Sequence, residues 1–343
     1  MIQNLIRKNI KAMEPYASAR DEFEGIGKQM IFLDANENPY QNGINRYPDP
    51  QQKELKKRIA VLKNIKEDSI LLGNGSDELL DLMLRAFCEP NEDNIITLPP
   101  TYGMYGVLAN LNAIENRQVL LLDDFQPDVK SIVSTTDSNS KLLFLCSPNN
   151  PTGNCFSDDA IISLLEQFRG IVVLDEAYID FAERESWLNK LQYFPNLVIL
   201  QTLSKAYGMA GIRLGILYGS SEIIAILNKI KPPYNISELT QDRAFSGIAN
   251  TAKIKDEVNT IIRERNNLIK GLSTIGFIKN IYPSDANFIL IEVDNATTRY
   301  NQLIENGIVI RNRSSQPLCN NCLRITVGTP LENEQLIKIL QLL

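Results

Sequence analysis

Short apolar runs alternate with longer amphipathic stretches through the middle of this 343-residue chain. Candidate strands are IITL (Ile95–Leu98), KLLFLC (Lys141–Cys146), IVVLD (Ile171–Asp175), LVILQ (Leu197–Gln201) and RLGILYG (Arg213–Gly219). Helical spacing marks Ser76–Phe87, Tyr102–Asn112 and Ser157–Phe168 between them. Runs that are apolar on both faces and separated by helices predict an α/β fold, its mostly parallel central sheet covered on both sides. At KPPYN (Lys231–Asn235) two prolines stop the preceding helix. Glu238–Lys270 then reads as one long, charge-rich helical stretch. Strands follow at Phe288–Val293 and Leu323–Val327, with helices at Thr297–Asn306 and Leu331–Leu342. The expected organisation is a large domain over residues 41–232 and a smaller α/β domain over 233–343. Residues 1–40 form an N-terminal segment expected to pack on the small domain or on a partner subunit. No internal repeat or low-complexity tract interrupts this order.

Composition removes several function classes. Hydrophobic residues make up 44% and charged residues 22%, ordinary for a soluble globular protein. Lys and Arg number 35 against 41 Asp and Glu, so the net charge of −6 argues against nucleic acid as the main partner. No apolar run approaches the roughly 18 residues of a membrane span. The start, MIQNLIRKNIKAMEPY, has no signal-peptide core. With five cysteines (Cys88, Cys146, Cys155, Cys319 and Cys322), reduced thiols and a cytoplasmic location are expected. The chain has no histidine, so a histidine-based triad, zinc site or imidazole base cannot form within one subunit. Proton transfer must fall to Lys, Tyr, Asp, Glu, Cys or a cofactor. The CNNC of Cys319–Cys322 lacks the further ligands a zinc site needs and reads as a loop feature, so no metal is expected.

The most pointed chemistry lies in TLSKAYGMAGIRLG (Thr202–Gly215), where Lys205 follows Ser204 and Arg213 returns eight positions later. An aldehyde cofactor bearing a phosphate suits this set, Lys205 bonding the aldehyde while Ser204 and Arg213 hold the phosphate. A solvated helix start is the plainer alternative. GNGSDELLDLMLRAF (Gly73–Phe87) is a glycine-rich turn entering a helix, with Ser76 as N-cap and Asp77 and Glu78 in the first turn. Its free backbone N–H groups suit a phosphate, and its acidic turn equally suits the helix dipole. SPNNPTG (Ser147–Gly153) puts Asn149 and Asn150 at the C-terminal edge of a strand, where open α/β sheets bind ligands, or forms a plain Asn-Pro turn. DEAYIDF (Asp175–Phe181) carries Asp175 out of a buried strand. Such a carboxylate should find a cation or shift its pKa; a protonated pyridine nitrogen or a structural salt bridge would serve, with Tyr178 near the ring's phenolic oxygen in the first case. PPTYGMY (Pro99–Tyr105) offers Tyr102 to stack on a flat ring, or simply as core.

Taken in order, GSDE, PTY, SPNNPTG, DEAY and SK with a downstream Arg closely resemble the fold-type I pyridoxal-phosphate aminotransferases. PYASAR (Pro15–Arg20), LDANENPY (Leu33–Tyr40), NRYPDP (Asn45–Pro50), GIVIR (Gly307–Arg311) and CLRITVGT (Cys322–Thr329) resemble the branch of that family acting on histidinol phosphate. The resemblance implies a large cofactor domain, a smaller α/β domain and pyridoxal 5'-phosphate as cofactor. It implies that Lys205 bonds the cofactor and shuttles the proton, that Asp175 pairs with the pyridine nitrogen, and that Tyr178 and Asn150 contact the phenolic oxygen. Tyr102 would stack on the ring. Ser76, Asp77, Ser204 and Arg213 would hold the phosphate, joined by Tyr47 from the other subunit of a homodimer. Tyr16, Asn36, Arg311 and Arg324 would line the substrate side. The expected reaction moves the amino group of L-histidinol phosphate to 2-oxoglutarate, giving imidazole-acetol phosphate and glutamate. Arg324 is the first choice for an anion site shared by both substrates, since its planar fork grips phosphate or carboxylate, and Arg311 the second. Rival readings are an aromatic or broad-specificity aminotransferase, a threonine-phosphate decarboxylase, or a non-catalytic sensor module preceded by a DNA-binding segment.

Overall fold

The computed structural model describes residues 2–15 and 30–343; Tyr16 lies outside the described residues. Among them seven strands form the larger sheet: β1 (Ile70–Asn74), β2 (Asn94–Thr97), β3 (Glu115–Gln118), β4 (Ser140–Cys146), β5 (Ile171–Asp175), β6 (Leu197–Thr202) and β7 (Leu214–Tyr218). Their order is β1-β7-β6-β5-β4-β2-β3. The pairs from β3 through β6 are parallel, and β7 runs antiparallel to both its neighbours.

Alternation along each strand divides the side chains between two apolar layers. Leu143 and Leu145 of β4, Val172 and Leu174 of β5 and Ile199 of β6 meet α2 (Lys53–Lys63), α5 (Val129–Thr135), α6 (Asp158–Gln167) and α8 (Glu238–Ile248). Phe144, Val173 and Leu200, one position away, meet α3 (Ser76–Phe87), α4 (Met104–Leu111) and α7 (Ser221–Ile230) on the other face. The inner strands β4, β5 and β6 are largely apolar because both faces are covered, as the sequence pattern implied.

The smaller layer is an antiparallel sheet of β8 (Ile278–Ile281), β9 (Phe288–Val293), β10 (Arg311–Asn312) and β11 (Cys322–Thr326), in the order β10-β11-β9-β8. It packs with α9 (Thr251–Leu272), α10 (Ala296–Glu305) and α11 (Pro330–Leu342) around a core of Leu268, Ile289, Ile291, Leu303, Ile325 and Leu336.

Four expectations meet a different structure. The helix expected over Glu238–Lys270 is two helices, because the Asn250 side chain accepts from Lys253 N and starts α9 afresh. Of these, α8 buries Ala244 and Ile248 in the large-sheet core, so the passage to the smaller layer follows α8 instead of falling near residue 233. Residues 2–15, with helix α1 (Lys8–Ala12), attach to the large layer and not to the smaller one: Ile2 and Ile10 join the core under α3 and α7, and Arg7 N–H donates to Ala86 O at 3.1 Å. Finally, Gly75 and not Ser76 is the cap position of α3, with φ of 78° and no side-chain cap. Strands β1 and β3 had no clear signal in the sequence. The first runs straight into the glycine turn, and the second (ENRQ) is a polar edge strand.

Where β7 passes the start of α3 the two backbones touch. A Cβ on Gly215 would lie 2.6 Å from Gly75 C and from Ser76 N, far inside contact distance. Gly215→Ala is therefore expected to cost about 2 kcal/mol, the typical penalty for an added methyl in a filled space. Urea denaturation checks it; an unchanged midpoint would mean that the turn moves aside freely.

Candidate active site

The carboxyl ends of β4, β5 and β6 and the start of α3 surround a cavity of about 150 Å³. Ser76, Asp77, Tyr102, Asn150, Asp175 and Tyr178 line it, together with Ser204, Lys205 and Arg213. Nine residues scattered over some 140 positions of sequence thus share one cleft.

Each wall has a local cause. At the floor, Asp175 ends a strand whose every residue is buried and is itself only 4% exposed. Its Oδ2 accepts from the Tyr105 hydroxyl at 2.7 Å and its Oδ1 from Ala177 N at 3.1 Å. Burial nevertheless pushes its pKa above the usual aspartate value, against the two hydrogen bonds and the charge of Lys205. Tyr105 is held in turn by stacking on Phe144, with ring centroids 4.8 Å apart. Sequence alone favours Tyr102 for the site, although only Gly103 and Met104 separate the two tyrosines. Tyr102 borders the cavity, meets Tyr105 edge-on and donates to Asp77 Oδ1 at 3.1 Å.

The two asparagines of the β4 loop divide their work. Asn149 is fully buried and bonds Pro100 O, Thr101 and Thr152, which makes it a loop brace. Asn150 turns to the cavity, donating to the Tyr178 hydroxyl at 3.3 Å and accepting from Arg324 Nη1 at 2.5 Å. Burial raises the Tyr178 pKa as well, so the phenol stays protonated.

At the other end, Gly75 N–H donates to Arg213 O at 2.8 Å and the Arg213 guanidinium lies against Gly75, where a Cβ would meet Nη2 at 2.6 Å. That guanidinium stands 3.9 Å from Asp77. The Ser204 hydroxyl accepts from Thr202 Oγ1 at 3.0 Å. The α3 amides without a side-chain cap, a hydroxyl and an arginine therefore converge, a donor set that fits a phosphate. The Lys205 amine lies 5.6 Å from the Tyr178 ring centre. Partial removal from water, then the charges of Arg324 and Arg213, hold its pKa below the ordinary lysine value against the pull of Asp175 and Asp77. One end of the cavity thus suits a phosphate, the floor a cation, and the wall between them carries an amine of lowered basicity. Pyridoxal phosphate has a matching group for each.

Among the described residues, the remaining expected ones do not themselves line this cavity in the single chain. Tyr47 is 52% exposed and stacks on Tyr234 at 4.5 Å, and does not border this cavity. Asn36 is exposed, with φ of 55°. Arg311 and Arg324 face each other across the β10–β11 pair, and Arg324 reaches the cavity wall through Asn150. A third arginine, Arg313, sits in the same corner and was not singled out from the sequence.

The chain matches the family described as aminotransferase class I and II over residues 31–340, and it belongs to that family of pyridoxal-phosphate-dependent transaminases. It is 62% identical over 343 residues to the histidinol-phosphate aminotransferase of Flavobacterium johnsoniae, covering 100% of this chain and 98% of that one. The crystal structure of the histidinol-phosphate aminotransferase from Clostridium acetobutylicum superposes with a TM-score of 0.80 at 26% identity, over 87% of this chain and 90% of the other. The enzyme of that name from Sinorhizobium meliloti, solved in complex with pyridoxal-5'-phosphate, shares the fold with a TM-score of 0.79 at 23% identity, over 86% and 82% of the two chains.

Above its raised pKa, Asp175 holds a buried charge that the unfolded chain would keep in water. That cost is full at alkaline pH and fades as pH falls through the folded value. Asp175→Asn is expected to melt higher than the parent when both lack cofactor, by a margin that narrows under mildly acidic conditions. Thermal unfolding against pH measures this, and a margin independent of pH would remove Asp175 as its source.

Proposed function

We propose that the chain transfers the amino group of L-histidinol phosphate to 2-oxoglutarate, releasing imidazole-acetol phosphate and glutamate. The observation that carries this is the 62% identity along the full chain to a relative of that name. The cavity adds chemical support, because it offers a separate group for each part of the cofactor.

In this reading Lys205 would hold the cofactor covalently, while the Ser76 and Asp77 amides, Ser204 and Arg213 would hold its phosphate. Asp175 would face its ring nitrogen, Tyr178 and Asn150 its phenolic oxygen, and Tyr102 its ring face. When bound, pyridoxal phosphate draws electrons from the substrate carbon that bears the amine. The chain supplies the rest. Asp175 would keep a negative charge at the floor of the cavity, with Tyr105 and Ala177 fixing the direction of its oxygens. Lys205 would be the base that takes the proton from the substrate carbon and the acid that returns it, a role favoured by its lowered pKa. Arg324, with Arg311 opposite, receives the phosphate of one substrate and a carboxylate of the other through the same planar fork. Tyr16 and Asn36 belong to the substrate side of this proposal.

The proposal includes a homodimer in the cytoplasm, with Tyr47 of one subunit completing the phosphate site of the other. Supporting this, Ile31, Leu33 and Tyr40 are each more than 80% exposed in the single chain, apolar surface of the kind a partner covers. Among the described residues no helix is long and apolar enough to cross a membrane.

The direct test is spectroscopic. Protein loaded with pyridoxal phosphate is expected to lose its cofactor absorbance band on addition of L-histidinol phosphate alone and to regain it with 2-oxoglutarate. A band that ignores histidinol phosphate but responds to phenylalanine or threonine phosphate would keep the family and discard this substrate. Lys205→Ala is expected to lose borohydride-fixed cofactor and at least about 100-fold in turnover. Normal turnover with fixed cofactor in that variant would remove Lys205 from its role.

A further inference from the structure

The corner between β10 and β11 concentrates positive charge in an unusual way. Arg311 lies directly opposite Arg324, and Arg313 N–H donates to Cys322 O at 2.8 Å, which continues the pairing by one step. Residues two apart on a strand, and those directly opposite across a pair, share a face. Arg311, Arg313 and Arg324 therefore belong to one face, the side on which Tyr178 feels both Arg313 and Arg324. Arg311 is exposed, whereas Arg313 and Arg324 are partly withdrawn from water.

Among the described residues this cluster has no carboxylate to compensate it. None of the three arginines forms a salt bridge among the described residues, and Arg324's bond to Asn150 is with a neutral amide. Of the seven buried side-chain polar atoms without a partner among the described residues, three are Arg313 Nε, Arg324 Nε and the hydroxyl of the adjoining Ser314. Buried donors are ordinarily paired. Here like charges are also gathered, and burial followed by mutual repulsion lowers the pKa of Arg313 and Arg324 alike. Such an arrangement is stabilised by an incoming anion with concentrated charge. A phosphate monoester puts nearly two charges and three acceptor oxygens on one tetrahedral centre. A dicarboxylate spreads the same charge over two separated groups, each of which one guanidinium can satisfy.

We propose that Arg313 is a third substrate-binding arginine, committed to the phosphate of the amino donor and dispensable for the dicarboxylate acceptor. The proposal rests on the histidinol-phosphate reading above and assigns the discrimination between the two half-reactions to a residue outside the Arg311/Arg324 pair. Arg324 serves both anions, and Arg313 adds grip only where the second charge sits on the same head group.

The experiment measures the two half-reactions separately on cofactor-loaded protein, following the cofactor band at varied substrate. In Arg313→Gln the concentration of L-histidinol phosphate giving half-maximal rate is expected to rise about tenfold or more, the worth of one charge-assisted hydrogen bond. The corresponding value for 2-oxoglutarate should stay within about twofold, since its groups keep their own arginines. Arg313→Lys, which keeps charge but loses the fork, should fall between. An unchanged cofactor band and melting temperature identify a folded variant, and Arg313→Lys carries the comparison if the Gln protein does not fold. Equal rises for both substrates, or none for either, would overturn the role of Arg313 while the parent enzyme still responds to histidinol phosphate. A parent enzyme that does not respond would overturn the substrate reading and this role with it.

Discussion

A carboxylate held at the end of a strand buried on both faces is the constraint around which this molecule is built. Asp175 could be solvated only by abandoning β5, which lies between β4 and β6 in the middle of the larger sheet. Its cost is instead limited by two fixed donors, Tyr105 and the Ala177 amide. Tyr105 can donate there only because α4 lies on the same face as Phe144, on which its ring stacks. The carboxylate thus enlists a helix, a strand and a turn to keep its direction. What remains uncompensated is charge, and a cationic ring nitrogen would supply it.

A second constraint is spatial. The glycines at positions 75 and 215 let the β7 backbone and the entry of α3 meet without side chains between them. That closeness puts the Arg213 carbonyl on Gly75 N–H and lays its guanidinium across the same turn. An anion-binding helix start and an arginine from a distant strand become neighbours through two absent Cβ atoms. The reversed direction of β7 matters here, because it returns the chain from Lys205 to Arg213 beside β1 within a few residues.

These constraints were legible in the sequence to different degrees. Apolar runs marked the inner strands β4, β5 and β6 closely, since burial on both faces leaves no polar positions to blur them. The motifs at their carboxyl ends carried Asn150, Asp175, Tyr178, Ser204 and Lys205 into one cavity. Edge strands were hidden for the converse reason: β3 has no apolar residue, and β10 is only two residues long. The break between α8 and α9 was lost because Asn250 resembles any polar position of a charged helix until its side chain is seen capping Lys253 N. The roles of Asn149 and Asn150 could not be separated by type or spacing, because only loop geometry decides which amide braces and which faces out.

Arg313 was illegible for a further reason. A short edge strand gives no periodicity from which to read a face, so Arg313, two residues beyond Arg311, looks like ordinary surface charge. The β10–β11 register turns that spacing into a cluster, and the unpaired guanidinium nitrogens turn the cluster into a demand for an anion. This part of the site opposes the logic of the floor. At Asp175 the fold limits a buried charge with fixed donors; beside Tyr178 it gathers cations and leaves them unmatched. Between these poles the Lys205 amine is lowered first by burial and then by the arginines, and raised by the carboxylates. An anion arriving at the arginines would weaken their hold and raise the affinity of Lys205 for a proton as the substrate settles. Substrate binding and the basicity of Lys205 are then coupled through charge.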